Sequence, residues 1–176
     1  MQLKSTLGAI KMGPTYKFDG YVFRPAAEGD VELARRWNAA DPEHQWEARF
    51  PDYWVEQNGV VNSYVLEDTK GILFFMKSIR CSGGKEIEIN IQFDRARSQV
   101  SALRLMVGLS IGFDWLKKAL PMNGFEAVYF VSRNRNLCTF AEQRLGFAKD
   151  GGREIFRFDR GERHGQVRRS QTQQAS

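Results

Sequence analysis

The stretch Ile89 to Lys118 reads INIQFDRARSQVSALRLMVGLSIGFDWLKK, and no other part of the chain limits the fold as tightly. Upstream of it and into it, Ile87, Ile89, Ile91 and Phe93 fall on one side of an extended segment and Glu86, Glu88, Asn90 and Gln92 on the other, the period of a strand. Downstream, Leu103, Met106, Val107, Ile111, Leu116 and Leu120 recur near every 3.6 residues until Pro121 and Gly124, so a helix is expected over about 99–120. Between them lies a short basic loop. A strand end, a loop rich in donors and a helix N-terminus form an anion site, because unpaired backbone N–H groups and the positive end of the helix dipole converge there.

The remaining segments supply a frame for that junction. Tyr21 to Ala26 (YVFRPA) reads as a strand, and Asp30 stands where it would cap a following helix carrying Val31, Leu33, Ala34 and Trp37. Pro42 ends that helix. EHQWEARFPDYWVEQNG then offers one or two short helical pieces broken by Pro51 and ended by Gly59. Val61–Asp68, Gly71–Arg80 and Lys85–Asp94 are strands separated by turns short enough for antiparallel hairpins. Phe125–Ser132 is a further strand, NLCTFAEQRLGF a helix ending at Gly146, and Arg153–Asp159 a closing strand. No internal repeat interrupts this order. The expectation is an α/β chain in the α+β sense, a central and mostly antiparallel mixed sheet flanked by helices.

Length and composition agree with one folded unit. A chain of 176 residues with 42% hydrophobic residues, thirteen Phe and four Trp buries a sizeable core. We expect one domain over 1–159 and a basic, disordered tail over 160–176, where RGERHGQVRRSQTQQAS has little to bury. The formal charge of +5 is concentrated in that tail, which holds four Arg against one Glu. A solvated tail and a weak contact with a polyanion such as nucleic acid both stay open. No apolar run has the length of a membrane span and the N-terminus lacks a signal-peptide pattern, so the chain reads as cytoplasmic, with no membrane partner. Cys81 and Cys138 have neither metal-site spacing nor a secretory context, and reduced thiols with no metal are expected.

Order and residues together resemble the GNAT-type acyl-CoA N-acyltransferases over roughly residues 20–159. FRPAAEGDVELARRW is similar to the opening strand and helix of that family, the Ile89–Lys118 stretch looks like its acyl-CoA segment, and NRNLCTFAEQRLGF resembles the segment that follows its fifth strand. That last segment is most like the ribosomal-protein N-terminal acetyltransferase branch, and its L-G-F ending is the most specific of these motifs.

The resemblance implies acetyl-CoA as co-substrate, bound by Ile91, Gln92, Phe93, Arg95, Arg97, Ser98, Gln99, Val100, Ser101, Ala102, Asn136 and Cys138. The family's loop pattern, Gln/Arg-x-x-Gly-x-Gly/Ala, falls on Arg97 to Ala102 and has Val100 in place of its central glycine. A β-branched residue disfavours positive φ and would set two methyls where backbone approaches phosphate. Val100→Gly should then cost about 1 kcal/mol or less in stability. The alternative is a basic loop that merely caps the helix.

Attack by an amine on a thioester requires the amine uncharged, hence a base or a water leading to one. By resemblance Glu88 is the first candidate and Glu86 the second, against the alternative of solvated strand carboxylates; Ser132 and Asn134 are polar groups near the expected thioester. Glu142 stands where many relatives place an acidic Tyr, and Tyr129 reads as core. His44 lies where relatives bind the acceptor, or is a surface or capping residue. Two functions remain open. One is N-acetyltransferase-like transfer of an acetyl (acyl) group from acetyl-CoA to a primary amine, be it a protein N-terminus, a lysine or a small amine. The other is a catalytically inactive binding or structural module on the same fold, phage-derived in one version, whose tail contacts nucleic acid or protein.

Overall fold

A computed structural model describes residues 15–96 and 99–158. The expected tail lies outside the described residues, as do Arg97 and Ser98 of the loop. Eight strands form one sheet in the order β1-β2-β3-β4-β5-β6-β8-β7. They are β1 (Tyr16–Phe18), β2 (Tyr21–Pro25), β3 (Val61–Asp68), β4 (Gly71–Arg80), β5 (Glu86–Phe93), β6 (Ala127–Phe130), β7 (Ala148–Asp150) and β8 (Arg153–Arg157). Every neighbouring pair is antiparallel except β5–β6. The mixed α/β class and the mostly antiparallel sheet are as the sequence implies.

Two strands come in addition to those expected. The β1–β2 turn is Asp19-Gly20 with φ of 44° and 80°, and the β7–β8 turn is Gly151-Gly152 with φ of 57° and 84°. Paired positive φ values suit the twist of a tight hairpin.

Helix α1 (Val31–Ala40) covers one face of the sheet, where Trp37 meets Phe75 edge-on at 5.6 Å between ring centroids. Two 3-10 turns, Gln45–Arg49 and Pro51–Trp54, extend this cover. Asp30 does not cap α1 through its side chain as expected. Its carboxylate instead accepts from the Ala27 N–H at 2.9 Å and from Arg24 at 2.8 and 3.0 Å, and the Arg24 guanidinium, with the Ala27 N–H, outweighs burial and lowers the carboxyl's pKa.

Helix α2 (Ala102–Met122) crosses the opposite face. Its buried side is Gly108, Leu109, Gly112, Phe113, Leu116 and Leu120, whereas Leu103 is 71% exposed and Met106 and Val107 are partly so. This corrects the face expected from the large apolar residues. A Cβ at Gly108 would stand 2.8 Å from Leu73 Cδ1 and one at Gly112 2.9 Å from Phe74 Cζ, so the two glycines let α2 lie directly on β4. The helix starts three residues later than expected, capped by Ser101 Oγ, and keeps Pro121 in its last turn. After β6 comes α3 (Arg135–Phe140), which continues as a wider π-type turn over Ala141–Leu145 and ends at Gly146, φ 80°. No helix among the described residues is long and apolar enough to cross a membrane.

Candidate active site

The parallel pairing of β5 with β6 covers only Glu86–Glu88 against Ala127–Tyr129. Beyond that, β5 stays paired with β4 as far as Phe93, and β6 stays with β8 through Phe130. Each half of the sheet follows its own twist and the seam opens. From Ile89 onwards β5 therefore has a strand neighbour on one side only, and its other backbone edge faces the gap.

On the α2 side the gap widens into a cleft of about 370 Å³, walled by Phe93 and Val100, by Leu105 and Leu109 of α2 and by Leu137 and Phe140 of α3. Asn134, Asn136 and Arg144 add polar groups along it. A smaller pocket of about 20 Å³ opens on the α1 side, where Asp41, Glu43, His44, Asn90, Arg95 and Ser132 gather. Phe93, Asn134 and Leu137 belong to both walls, so the two spaces meet at the mouth of the seam.

The loop leading into α2 is held by side chains. Asp94 Oδ2 accepts from the Gln99 N–H at 2.6 Å, and Arg104 donates to the Gln99 carbonyl at 2.9 Å and to both Asp68 oxygens at 2.7 and 3.0 Å. The Arg104 guanidinium holds the Asp68 carboxyl below its ordinary range. Asp19 is the one non-glycine described residue with positive φ, so Val100 sits in ordinary backbone space. Its side chain is 3% exposed and packs into the core. This reverses the small stability effect expected of its removal. Val100→Gly should cost about 2–4 kcal/mol, from lost burial of a valine side chain and added backbone freedom. Chemical denaturation would check this, and a loss below about 1 kcal/mol would restore the earlier picture.

The polar stripe of β5 divides among different tasks. Glu86 pairs with Arg153 at 3.0 Å and approaches Arg157 at 3.7 Å. Glu88 accepts from Tyr129 Oη at 3.2 Å and from Asn90 Nδ2 at 3.3 Å, standing one hydrogen bond behind the smaller pocket. Hydrogen bonding to Cys81, burial and the Glu88 charge raise the Tyr129 pKa, which keeps that hydroxyl protonated as a donor. Gln92 is fully buried under α1 and touches neither space. Arg95 turns to Asp41, 3.9 Å away, and lines the smaller pocket and not the helix start.

Ser132 donates to Glu43 Oε2 at 3.1 Å across the seam and accepts from the Asn134 N–H, while Asn134 Oδ1 caps α3 by accepting from Leu137 N. Cys138 is half-buried beside the Ser132 carbonyl at 3.6 Å, and burial above all raises its thiol pKa, which opposes nucleophilic chemistry. Glu142 is exposed.

Behind the smaller pocket lies a charged cluster. Glu47 Oε2 accepts from Trp54 Nε1 at 2.6 Å and stands 3.6 Å from His44 Nδ1 and 3.7 Å from Lys77 Nζ. Lys77 also lies over the Tyr53 ring, 3.2 Å from its centroid. Glu43, and Glu47 and Lys77 of this cluster, were missed by the sequence reading, which singled out only His44 there. One signal for the cluster was available: Lys77 interrupts the apolar run GILFFM on the α1 side of β4, where a cation needs a buried partner.

No protein-family model matches the chain, and no curated protein matches it in sequence. Solved structures do match in shape. A chimera of the spermidine N-acetyltransferase of Vibrio cholerae superposes with TM-score 0.60 at 13% identity, covering 79% of this chain and 96% of that one. The ribosomal-protein-S5-alanine acetyltransferase of Vibrio fischeri gives 0.57 at 12% identity, covering 84% and 98%. The spermidine N-acetyltransferase of Vibrio cholerae in complex with CoA and spermine gives 0.54 at 12%, covering 77% and 92%. The fold is that of the GNAT acetyltransferases. Enzymes named for different substrates match the chain at comparable TM-scores, so the likeness fixes its architecture alone.

Proposed function

We propose that this chain transfers an acyl group from acyl-coenzyme A to a primary amine by direct attack, without a covalent enzyme intermediate. The observation that carries the reading is the open β5–β6 seam, which joins a long cleft on the α2 side to a polar pocket on the α1 side. Direct transfer requires both reactants at once, and two spaces meeting at Phe93, Asn134 and Leu137 let a thioester and an amine approach from opposite sides. The free backbone edge of β5 offers N–H groups to the pantetheine amides and the thioester carbonyl, in the manner of an added strand. The pyrophosphate belongs at the start of α2, with Arg97, Ser98, Gln99 and Ala102 as the nearest residues in sequence. The neighbour solved with CoA and spermine supports the pairing of these two ligand classes on this fold.

On the amine side two carboxylates line the pocket; Asp41 is buried and turned to the Glu43 N–H and Arg95, and we assign Glu43 to hold the ammonium and take its proton. Glu88 lies behind Asn90, with a route to the same pocket through a water held beside that amide. Cys138 and Asn134 act as packing and capping groups around the thioester. Isothermal calorimetry with acetyl-CoA and with CoA tests the reading: both should bind one per chain, in the micromolar range or tighter. Absence of binding by either would favour the inactive-module alternative.

A further inference from the structure

A third space adjoins the first two and is lined almost wholly by apolar surface. It is a void of about 30 Å³ beneath the seam, enclosed by β4, β5, α2, β6 and the α3 turn. Every side chain on its wall is apolar. Ile89, Ile91, Phe130 and Leu137 are shared with the amine-side pocket, and Leu109 and Leu137 with the long cleft. Leu137 lines all three spaces, so the void adjoins the point where the thioester carbonyl must sit if donor and acceptor meet at the seam.

An acetyl methyl does not need this space. A void of about 30 Å³ is some two to three times the ~10–15 Å³ that one water-sized sphere occupies, and a wall without polar partners gives water nothing to bind. An alkyl chain fits both facts. We propose that the donor is a short-chain acyl-CoA, with a three- or four-carbon acyl group whose terminal carbons fill the void beyond Leu137. This rests on the acyl-CoA reading above and narrows it to a donor class. The void's far wall is formed by Phe113, Leu116 and Phe147, each 5% exposed or less, which sets an upper limit on chain length.

The test is a calorimetric series on the full chain with CoA and with its acetyl, propionyl, butyryl and hexanoyl thioesters. Affinity should rise about fourfold for each methylene from acetyl to butyryl and then fall at hexanoyl, where the packed wall obstructs. Ala141 is fully buried on the void's wall, and Ala141→Val should reduce the gain from acetyl to butyryl to less than twofold. The parent series decides by itself if that variant does not fold. CoA binding with affinities that are flat, or highest for acetyl, would overturn the short-chain proposal while leaving acyl transfer standing. No binding by CoA or any thioester would remove the reading on which it rests.

Discussion

Glu47→Gln should lower the melting temperature by about 10 °C at neutral pH, and by clearly less at pH 9. Lys77 is 1% exposed, and its ammonium faces one carboxylate at 3.7 Å and two aromatic rings. Burial pushes its pKa down to about 8, against the pull of Glu47 in the opposite direction. Glu47 itself is held below its ordinary value, because His44, Lys77 and Trp54 outweigh the burial that would raise it. Removing one partner of a buried pair leaves the other charge uncompensated, at a cost of about 3–5 kcal/mol. In a chain of this size each kcal/mol corresponds to roughly 2–4 °C.

The pH dependence follows from the direction of each shift. A lysine that releases its proton near pH 8 when folded and only near 10.4 when unfolded makes the unfolded chain the better proton binder between those values, so its contribution to stability rises with pH across that window. Above pH 8 the parent's Lys77 is already losing its charge, and the missing Glu47 matters less. Toward acid, the Glu47 contribution disappears as pH falls through its lowered folded value. Thermal melts of the parent, both single variants and Glu47→Gln/Lys77→Met at pH 6, 7 and 9 would decide the matter. The double variant should be at least 1 kcal/mol more stable than the summed single losses imply. Strict additivity, or a loss independent of pH, would show that the two groups do not depend on each other.

This cluster marks where sequence pattern stops being informative. The short turns on either side placed β3 and β4 to the residue, because a tight hairpin fixes where each strand ends. The two extra hairpins were signalled by Asp-Gly and Gly-Gly pairs, whose turn geometry is local, but their three-residue strands are too short for periodicity to register. The α2 face could not be read from large apolar residues, since close helix-on-sheet packing is made by Gly108 and Gly112, and Leu103, Met106 and Val107 are left outward. The β5 stripe was correctly seen as polar, yet its residues separate only in three dimensions, into an ion pair, a tyrosine contact, a pocket wall and a buried amide. Glu43 carried no pattern at all. It becomes a candidate only when α1 and the turn after β6 bring it to Ser132, 89 residues away in sequence.

Glu43→Gln should lower kcat/KM for a primary amine by about a hundredfold near neutral pH, the effect expected of a positioned general base. Pro42 ends α1, and the Glu43 N–H then donates to Asp41 Oδ1 at 2.9 Å, which turns the chain toward the seam. Ser132 Oγ donates to the two carboxylate oxygens at 3.1 and 3.4 Å and fixes the side chain against the pocket. Glutamine keeps this shape and one accepting oxygen but can neither neutralise an ammonium nor accept its proton. The deficit should shrink as pH approaches the pKa of the amine, about 8 for an α-amino group and 10.4 for a lysine, where free amine no longer needs a base. The assay is thiol release from the acyl-CoA that binds best, with a panel of primary amines, run from pH 6 to 10 on the parent, Glu43→Gln and Glu88→Gln. Glu88→Gln should cost less than tenfold, since Asn90 stands between that carboxylate and the pocket. A larger loss for Glu88→Gln than for Glu43→Gln would mean that the proton leaves through a water beside Asn90 to the strand carboxylate, and that Glu43 only closes the seam.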